Sequence, residues 1–230
     1  MRCLSTPPQD GDQTTIVLSY AVGNNEGEFC SSSPLTKVDD ALRAKIRAKK
    51  ATFDAAVDAI VSTIPANAPD AVKERLIYDR ILLDAQYNLS APNGTALYDE
   101  NFNAYGILVN HTGVCESYMK AFQVLCHAVG INATCVKGSA LGGGHGWTCV
   151  KLDGEWYMCD ITFDDPIGAN PNIPRHDYFN LTTAQMKAVD NHTWTAMPSL
   201  DGEWKTLDWP VPDCNGTKYN WENFCALYGQ

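Results

Sequence analysis

The chain has 230 residues, of which 45% are apolar and 19% are charged. This composition is typical of a globular protein, and the length allows one domain with a sizeable core. The net charge of −10 would repel phosphate groups and anionic lipids, which argues against nucleic acid and membrane surfaces as partners. No apolar run reaches the roughly 20 residues that a membrane span requires.

The N-terminal part predicts a strand followed by a long helix. The segment TTIVLSYAV, residues 14–22, is rich in apolar and β-branched residues, as strands are. Ser33 or Thr36 can cap a helix that runs to about Ile64, with apolar residues three, four or seven positions apart. The first ten residues lack the apolar segment of a signal peptide, so such a peptide is expected to be absent or already removed.

Two further helices are predicted next. The sequence PANAPD ends the first helix, and residues 71–87 predict the second. Its buried positions are expected to include Val72, Leu76, Ile81 and Leu83. A third helix is predicted over residues 115–129, ending at Gly130 because glycine readily adopts the left-handed conformation at a helix C-terminus.

The pattern then changes to that of a sheet. Residues 131–140 predict one strand, and residues 145–152 and 155–163 predict two more. Asp153-Gly154 joins the last two strands, and this dipeptide is typical of a tight hairpin. Helices followed by an antiparallel sheet predict an α+β fold.

The C-terminal part is rich in loops from residue 167 to residue 213. Within it, Thr182 can cap a short helix at about 183–189. In the tail, Cys214 and Cys225 are near enough in sequence to predict a local disulfide.

The predicted hairpin brings a histidine and an aspartate together. With Asp153-Gly154 as the turn, Trp147 lies opposite Asp160. Residues two apart in a strand share a face, so His145 lies on the face of Trp147 and diagonally beside Asp160. A carboxylate in that place can fix the tautomer and the orientation of an imidazole.

Cys115 is placed to use such a pair. It follows Thr112-Gly113-Val114 and begins the predicted third helix, where the helix N-terminus favours a thiolate and a backbone N–H can face a developing oxyanion. Glycines 142–144 allow a loop to approach closely beside His145. The alternative is structural, because one half of a disulfide is the ordinary role of a cysteine in a cysteine-rich chain.

Two segments resemble a known family. AYGILVNHTGVCESYMKAF (residues 104–122) and HGWTCVKLDGEWYMCDITFDDP (145–166), with the later DYFNLTTAQM (177–186), resemble the transglutaminase-like superfamily, and most closely its small microbial, protease-like branch. The resemblance covers about residues 70–190. It implies a transglutaminase-like, papain-like core in which N-terminal helices and the helix of Cys115 pack on an antiparallel sheet.

The resemblance also implies a domain layout. Residues 70–190 would form the catalytic core, residues 1–69 a strand and long helix packed on it, and residues 191–230 a C-terminal extension, all within a single compact domain.

The same resemblance implies a catalytic triad of Cys115, His145 and Asp160. The expected reaction is thiol-dependent acyl transfer on protein or peptide amides through a Cys115 thioester. Crosslinking, deamidation and proteolysis share this site and stay open as outcomes. The alternative from another class is a catalytically silent, secreted binding module of the same fold, stabilised by disulfides.

Tyr105 and Trp147 are weaker candidates for contact with the oxyanion or the substrate, with packed aromatic rings as the alternative. No cofactor is predicted. A metal site built from His127, His176, His192 and spare cysteines has no ligand spacing in its favour, and no acidic calcium-loop pattern is evident in the sequence.

Cysteines and glycosylation sequons bear on the compartment. The chain has nine cysteines and seven N-x-S/T sequons, where chance predicts roughly two sequons. We therefore expect a secreted, glycosylated protein with disulfides. Cys149 and Cys159 point to opposite faces of the hairpin and are expected to tie it to neighbours such as Cys126 or Cys135. The oligomeric state is left open.

Overall fold

The computed structural model describes residues 3–5, 16–18, 40–91, 100–165, 173–194 and 211–229. It combines helices with an antiparallel sheet, which confirms the predicted α+β class. A separate two-stranded antiparallel sheet pairs β1 (Cys3–Ser5) with β2 (Ile16–Leu18). Strand β2 lies within the strand predicted at 14–22. Over these described ranges, no helix combines the length and the apolar character needed to cross a membrane.

The first two helices supply one side of the core. Helix α1 (Asp40–Val61) follows the predicted helix, although the predicted caps Ser33 and Thr36 lie outside the described residues. Pro65 and Pro69 separate it from α2 (Asp70–Asp84). The two helices and the segment between them bury Phe53, Ile60, Ile64, Ile77, Tyr78 and Ile81 in the main core.

Helix α2 differs from its prediction in two ways. It ends at Asp84 because Ala85 is extended and residues Gln86–Tyr87 form strand β3, which pairs in parallel with β4 (Thr112–Gly113) just before Cys115. The buried face is also rotated, since Leu83 is 46% exposed whereas Glu74 is fully buried. The apolar spacing alone did not identify a buried acid.

The helix of Cys115 lies at the centre of the fold. A short helix α3 (Ala104–Leu108) precedes it, and α4 (Cys115–Ala128) begins at Cys115 as predicted. Helix α4 buries Tyr118, Phe122 and Leu125 and ends before Gly130, whose φ of 87° is the predicted left-handed conformation.

Three antiparallel strands form the main sheet, in the order β5 (Asn132–Ala140), β6 (Gly143–Leu152) and β7 (Glu155–Cys159). The register of the β6–β7 hairpin pairs Leu152 with Glu155, which confirms Asp153-Gly154 as the turn. Cys159 faces the main core with α4, whereas Cys149 faces a second apolar cluster with Trp147. The predicted opposite orientation of these two cysteines is confirmed.

Strand β7 is shorter than predicted, since it ends at Cys159 rather than at residue 163. The carboxylate of Asp160 accepts a hydrogen bond from the Phe163 N–H at 3.2 Å, and this interaction turns the chain out of the sheet. The turn leaves Asp160 at the end of the strand, beside His145 on β6.

Two short helices complete the described fold. Helix α5 (Thr183–Ala188) has the predicted cap, since Thr182 and Gln185 form a reciprocal capping box. Helix α6 (Trp221–Tyr228) packs on the core through Phe224 and through Trp221, whose ring stacks on His176 at 3.5 Å.

Candidate active site

Cys115 is positioned by the β3–β4 pairing and by the start of α4. Gly113 lies two residues before Cys115, and a Cβ there would be only 2.6 Å from the Ser117 Oγ, so the close packing of this segment on the first turn of α4 requires glycine. The first N–H groups of a helix have no partner within the helix and face outward from its N-terminus. The Cys115 side chain is partly exposed at this point.

His145 links Cys115 to Asp160. Its Nε2 lies 2.6 Å from the Asp160 Oδ2, so the ring nitrogen left for Cys115 is Nδ1. Burial opposes the charged imidazole, but hydrogen bonds to Asp160 and to Cys115 outweigh it and raise the pKa of His145 to about 9. The structure thus brings all three residues of the predicted triad together, with the imidazole in its protonated form at neutral pH.

Asp160 is buried and fully satisfied. Its Oδ1 accepts the Phe163 N–H, and its Oδ2 accepts from two histidines, His145 at 2.6 Å and His192 at 3.0 Å. Burial alone would raise the pKa of Asp160, but the two histidines hold this pKa below its usual value. The carboxylate is therefore ionised although it is 0% exposed.

His192 is the residue of this site that sequence reasoning did not identify as part of it. It lies 32 residues after Asp160 in a loop beyond α5, so no strand or helix period connects the two. The signal available in the sequence was a histidine in a short polar stretch, DNHTW (190–194), which has no spacing of its own.

Aromatic rings enclose His145. The rings of Phe163 and Trp147 lie 4.5 Å and 5.9 Å from it, measured between centroids. Trp147 is only 1% exposed, so it supports the imidazole from the interior of the protein. Its predicted contact with an oxyanion or a substrate stays a prediction.

Tyr105 packs against α1. Its ring stacks on Phe53 of α1 at 6.2 Å, and the Lys49 ammonium lies 4.8 Å above it. This placement fits the packed-aromatic alternative. Tyr87 on β3 is closer to the chemistry: burial and then the charge of Cys115 raise the pKa of its hydroxyl. The pairing of Tyr87 with Gly113 explains its position, and no sequence motif indicated it.

The ligand atoms of His145, Asp160 and His192 lie within 4.8 Å of one another, a grouping that could be considered for a metal ion. Two ligands of a tetrahedral zinc ion are about 3.3 Å apart. The 2.6 Å between His145 and Asp160 is shorter and matches a charge-assisted hydrogen bond. The 3.0 Å between the His192 Nε2 and the Asp160 Oδ2 is likewise the length of a hydrogen bond.

The seven cysteines with described side chains are free thiols. The predicted Cys214–Cys225 disulfide is absent: Cys214 is anchored beside α5 by a bond from its N–H to the Thr183 Oγ1, and its sulfur lies 3.7 Å from that of Cys149. Burial raises the pKa of Cys126 and Cys159 well above the usual value for a thiol, so these two stay protonated.

Comparison with known proteins gives a family match over the part of the chain that holds the site. Residues 55–161 match the family model of the transglutaminase-like superfamily. No curated protein sequence matches the chain.

Two solved structures are similar to the chain over part of their length. A crystal structure of a TGase has a TM-score of 0.44 and 14% identity, covering 60% of this chain and 37% of that one. A candidate cysteine protease from Cytophaga hutchinsonii has a TM-score of 0.36 and 19% identity, covering 56% of this chain and 45% of that one. The chain therefore matches less than half the length of either protein.

The matched residues begin within α1 and include Cys115, His145 and Asp160. They contain α2, α4 and the three-stranded sheet, the elements that bring these side chains together. The resemblance inferred from the sequence motifs is thereby confirmed: residues 55–161 match the model of the transglutaminase-like superfamily.

Proposed function

We propose that the protein is a thiol-dependent enzyme that transfers acyl groups from carboxamide or peptide bonds of protein or peptide substrates. The observation that carries the proposal is the hydrogen-bonded series from Cys115 to His145 to Asp160, with a buried ionised carboxylate at its end. Such a series supplies a nucleophile, a proton donor and a group that orients the donor.

Acylation begins from the Cys115 thiolate and the His145 imidazolium. The sulfur forms a bond to the substrate carbonyl carbon, and the developing oxyanion faces the N-terminus of α4. The carbon–nitrogen bond then breaks, and the proton on His145 Nδ1 leaves with the amine. The product is a thioester on Cys115 beside a neutral His145.

Deacylation reverses the movement of the proton. His145 takes a proton from an incoming amine or water as its nitrogen or oxygen bonds to the carbonyl carbon. The carbon–sulfur bond breaks, which restores the thiolate and the imidazolium. An amine gives crosslinking or amide exchange, whereas water gives deamidation or proteolysis.

Tyr87 is our candidate for a second oxyanion donor. Its hydroxyl is influenced by the charge of Cys115, and β3 holds it beside the residues that precede this cysteine. A phenolic O–H can donate to an oxyanion without carrying charge itself. A Tyr87→Phe variant that transfers acyl groups as fast as the wild type would remove Tyr87 from this role.

Native alkylation is the first test. Iodoacetamide is added at pH 6 and every cysteine is mapped by peptide mass, with Cys135→Ala and Cys225→Ala as control variants that remove other partly exposed thiols. We expect fast modification of Cys115 in the wild type and in both controls. An inert Cys115 would contradict the proposal and favour the silent binding module.

The second test identifies the reaction. Glutamine-containing peptides are incubated with the protein and an added primary amine, and their masses are measured. Amide exchange indicates a transferase, loss of the amide to water a deamidase, and backbone cleavage a protease. A broad peptide panel in which the wild type and Cys115→Ala give the same masses would contradict the proposed function.

A further inference from the structure

His192 makes two polar contacts through its ring while its side chain is 0% exposed. Nδ1 lies 2.8 Å from the Val189 carbonyl oxygen, and Nε2 lies 3.0 Å from the Asp160 Oδ2. Both distances are those of hydrogen bonds. The ring therefore connects the backbone of the loop after α5 to the carboxylate that orients His145.

Both partners of the ring can only accept hydrogen bonds. A carbonyl oxygen has no proton to give, and both oxygens of Asp160 are already occupied as acceptors, Oδ1 by the Phe163 N–H and Oδ2 by the two histidine rings. A neutral imidazole carries one N–H, so it would leave a lone pair facing either the carbonyl or the carboxylate. The two contacts are satisfied together only when each ring nitrogen carries a proton, which makes His192 an imidazolium.

The surroundings of the ring are mostly aromatic. Trp147 and Phe163 lie 5.1 Å away between ring centroids. The titratable groups that face the ring are Asp160, His145 at 5.7 Å and Tyr178 at 6.0 Å, and the Tyr178 hydroxyl is itself bonded to Asp190. Asp160 is thus the carboxylate that His192 contacts directly.

The backbone around His192 is fixed from both sides. Ser139 and Thr193 exchange two backbone hydrogen bonds of 2.8 Å, which tie the loop to β5. Gly138 permits this approach, because a Cβ there would collide with the Thr193 carbonyl oxygen and with Trp147. The ring is therefore held in place independently of His145.

The reaction creates a need for such a group. When His145 gives its proton to the leaving amine, Asp160 would remain as a buried carboxylate beside a neutral imidazole, which is unfavourable in a site of low dielectric. A second cation on the same oxygen removes this difficulty.

We propose that His192 is a positioning residue that stays an imidazolium and serves as the permanent counter-ion of Asp160, so that His145 is free to lose and regain its proton. The assignment of this role within a catalytic cycle rests on the proposed function. The positive charge of His192 also disfavours a proton on His145 by like-charge repulsion, so it makes His145 a stronger proton donor.

His192→Gln tests the charge, because glutamine can still donate an N–H toward Asp160 but carries no charge. His176→Gln is the matched control: His176 also pairs with a carboxylate, Asp79 at 2.7 Å, but stacks on Trp221 of α6. Both variants are checked for folding by thermal unfolding before use.

The first readout is the pH dependence of Cys115 alkylation by iodoacetate, an anion whose reaction is assisted by the His145 imidazolium. Alkylation should slow above the pH at which His145 loses its proton, which is the alkaline limb of the pH profile. Loss of the His192 charge is expected to raise the pH of this limb by about one unit, whereas His176→Gln leaves it in place. An unchanged limb in a folded His192→Gln variant would overturn the proposal and leave His192 with a structural role.

The second readout uses the wild type and so does not depend on the folding of a variant. Nitrogen-15 spectra of the histidine rings at pH 7.5 are expected to show protons on both His192 nitrogens, and a single proton there would overturn the proposal. Neither readout requires turnover. A peptide panel without any reaction would therefore count against the proposed function while leaving the protonation of His192 measurable.

Discussion

Asp160 and Glu74 are both carboxylates with 0% exposure, and they differ in charge. Asp160 receives hydrogen bonds from two histidines and a backbone N–H, and its pKa lies below the usual value. Glu74 on α2 has the amide of Asn180 and the thiol of Cys159 as partners. Burial dominates there and raises the pKa of Glu74 to about 8, so it is mostly protonated at neutral pH.

The two environments begin only one residue apart in the chain, at the end of β7. The side chain of Cys159 points to Glu74 in the main core, whereas that of Asp160 points to His145 and His192. Burial alone therefore does not decide whether an acid in this protein is charged. The cations placed beside the acid decide whether it is charged, and the fold supplies them on the side that Asp160 faces.

The largest expected effect comes from removing the charge at Asp160. Asp160→Asn should lower kcat about 10⁴-fold, because an amide cannot stabilise the imidazolium of His145 and can favour the wrong tautomer. Turnover of a peptide substrate found in the panel measures the effect. Asp153→Asn, at the exposed β6–β7 turn, is the control, and an Asp160→Asn enzyme within tenfold of it would contradict the assignment.

Replacing the other buried acid, Glu74, by an amide should stabilise the folded protein, whereas replacing Asp160 should impair catalysis. The folded-state pKa of Glu74 is above the unfolded value of 4.5, so the folded protein holds an extra proton between about pH 4.5 and 8 and loses stability as pH rises through this window. Glu74→Gln should raise the free energy of unfolding by on the order of 3 kcal/mol at pH 8.

Urea unfolding at pH 5 and pH 8 measures this difference, and the gain should be much smaller at pH 5. Alkylation of Cys115 should be unaffected by Glu74→Gln, which separates the core acid from the site. A variant less stable than the wild type at pH 8 would show that Glu74 is held ionised.

The pH dependence of the site sharpens the comparison further. The pKa of His145 is raised to about 9, so the imidazolium is present at neutral pH and is lost as pH rises through this value. Acylation should therefore fall about tenfold per pH unit above pH 9. In Asp160→Asn the alkaline limb of Cys115 alkylation should move down toward the ordinary value of 6.5, and a limb that stays near 9 would show that another group sets it.

The smallest effect is expected for an exposed carboxylate. Asp153 accepts hydrogen bonds from Lys218 at 2.7 Å and from the Tyr219 hydroxyl, but both members of the ion pair are exposed to solvent. Lys218→Ala should leave the melting temperature unchanged within error, since water screens such pairs. Thermal unfolding at low and high salt checks this, and a clear loss in low salt would contradict it.

Sequence reasoning was sufficient where a local rule sets the geometry. The Asp153-Gly154 turn fixes the hairpin register, and that register places His145 beside Asp160. The beginning of α4 at Cys115 followed from the small residues before it. Each of these predictions needed only residues close in the sequence.

The remaining features depend on contacts between distant segments. His192 reaches Asp160 through a loop held to β5 by Ser139 and Thr193, and Tyr87 reaches Cys115 through a two-residue parallel pairing. Glu74 occupies a position that the apolar spacing of α2 left open to solvent. Export, glycosylation and disulfides stay predictions, and the described cysteines are thiols in this structure.

The buried amide of Asn180 has a practical consequence for producing the protein. This residue belongs to the sequon Asn180-Leu181-Thr182, but its side chain is 0% exposed and donates to Glu74 and to the Tyr219 carbonyl oxygen. A sugar added to the nascent chain would occupy the space in which Tyr219 and Glu74 must meet this amide. Expression hosts that modify sequons should therefore give less folded protein than hosts that do not, and Asn180→Asp is a poor remedy because it would place a second acid beside Glu74.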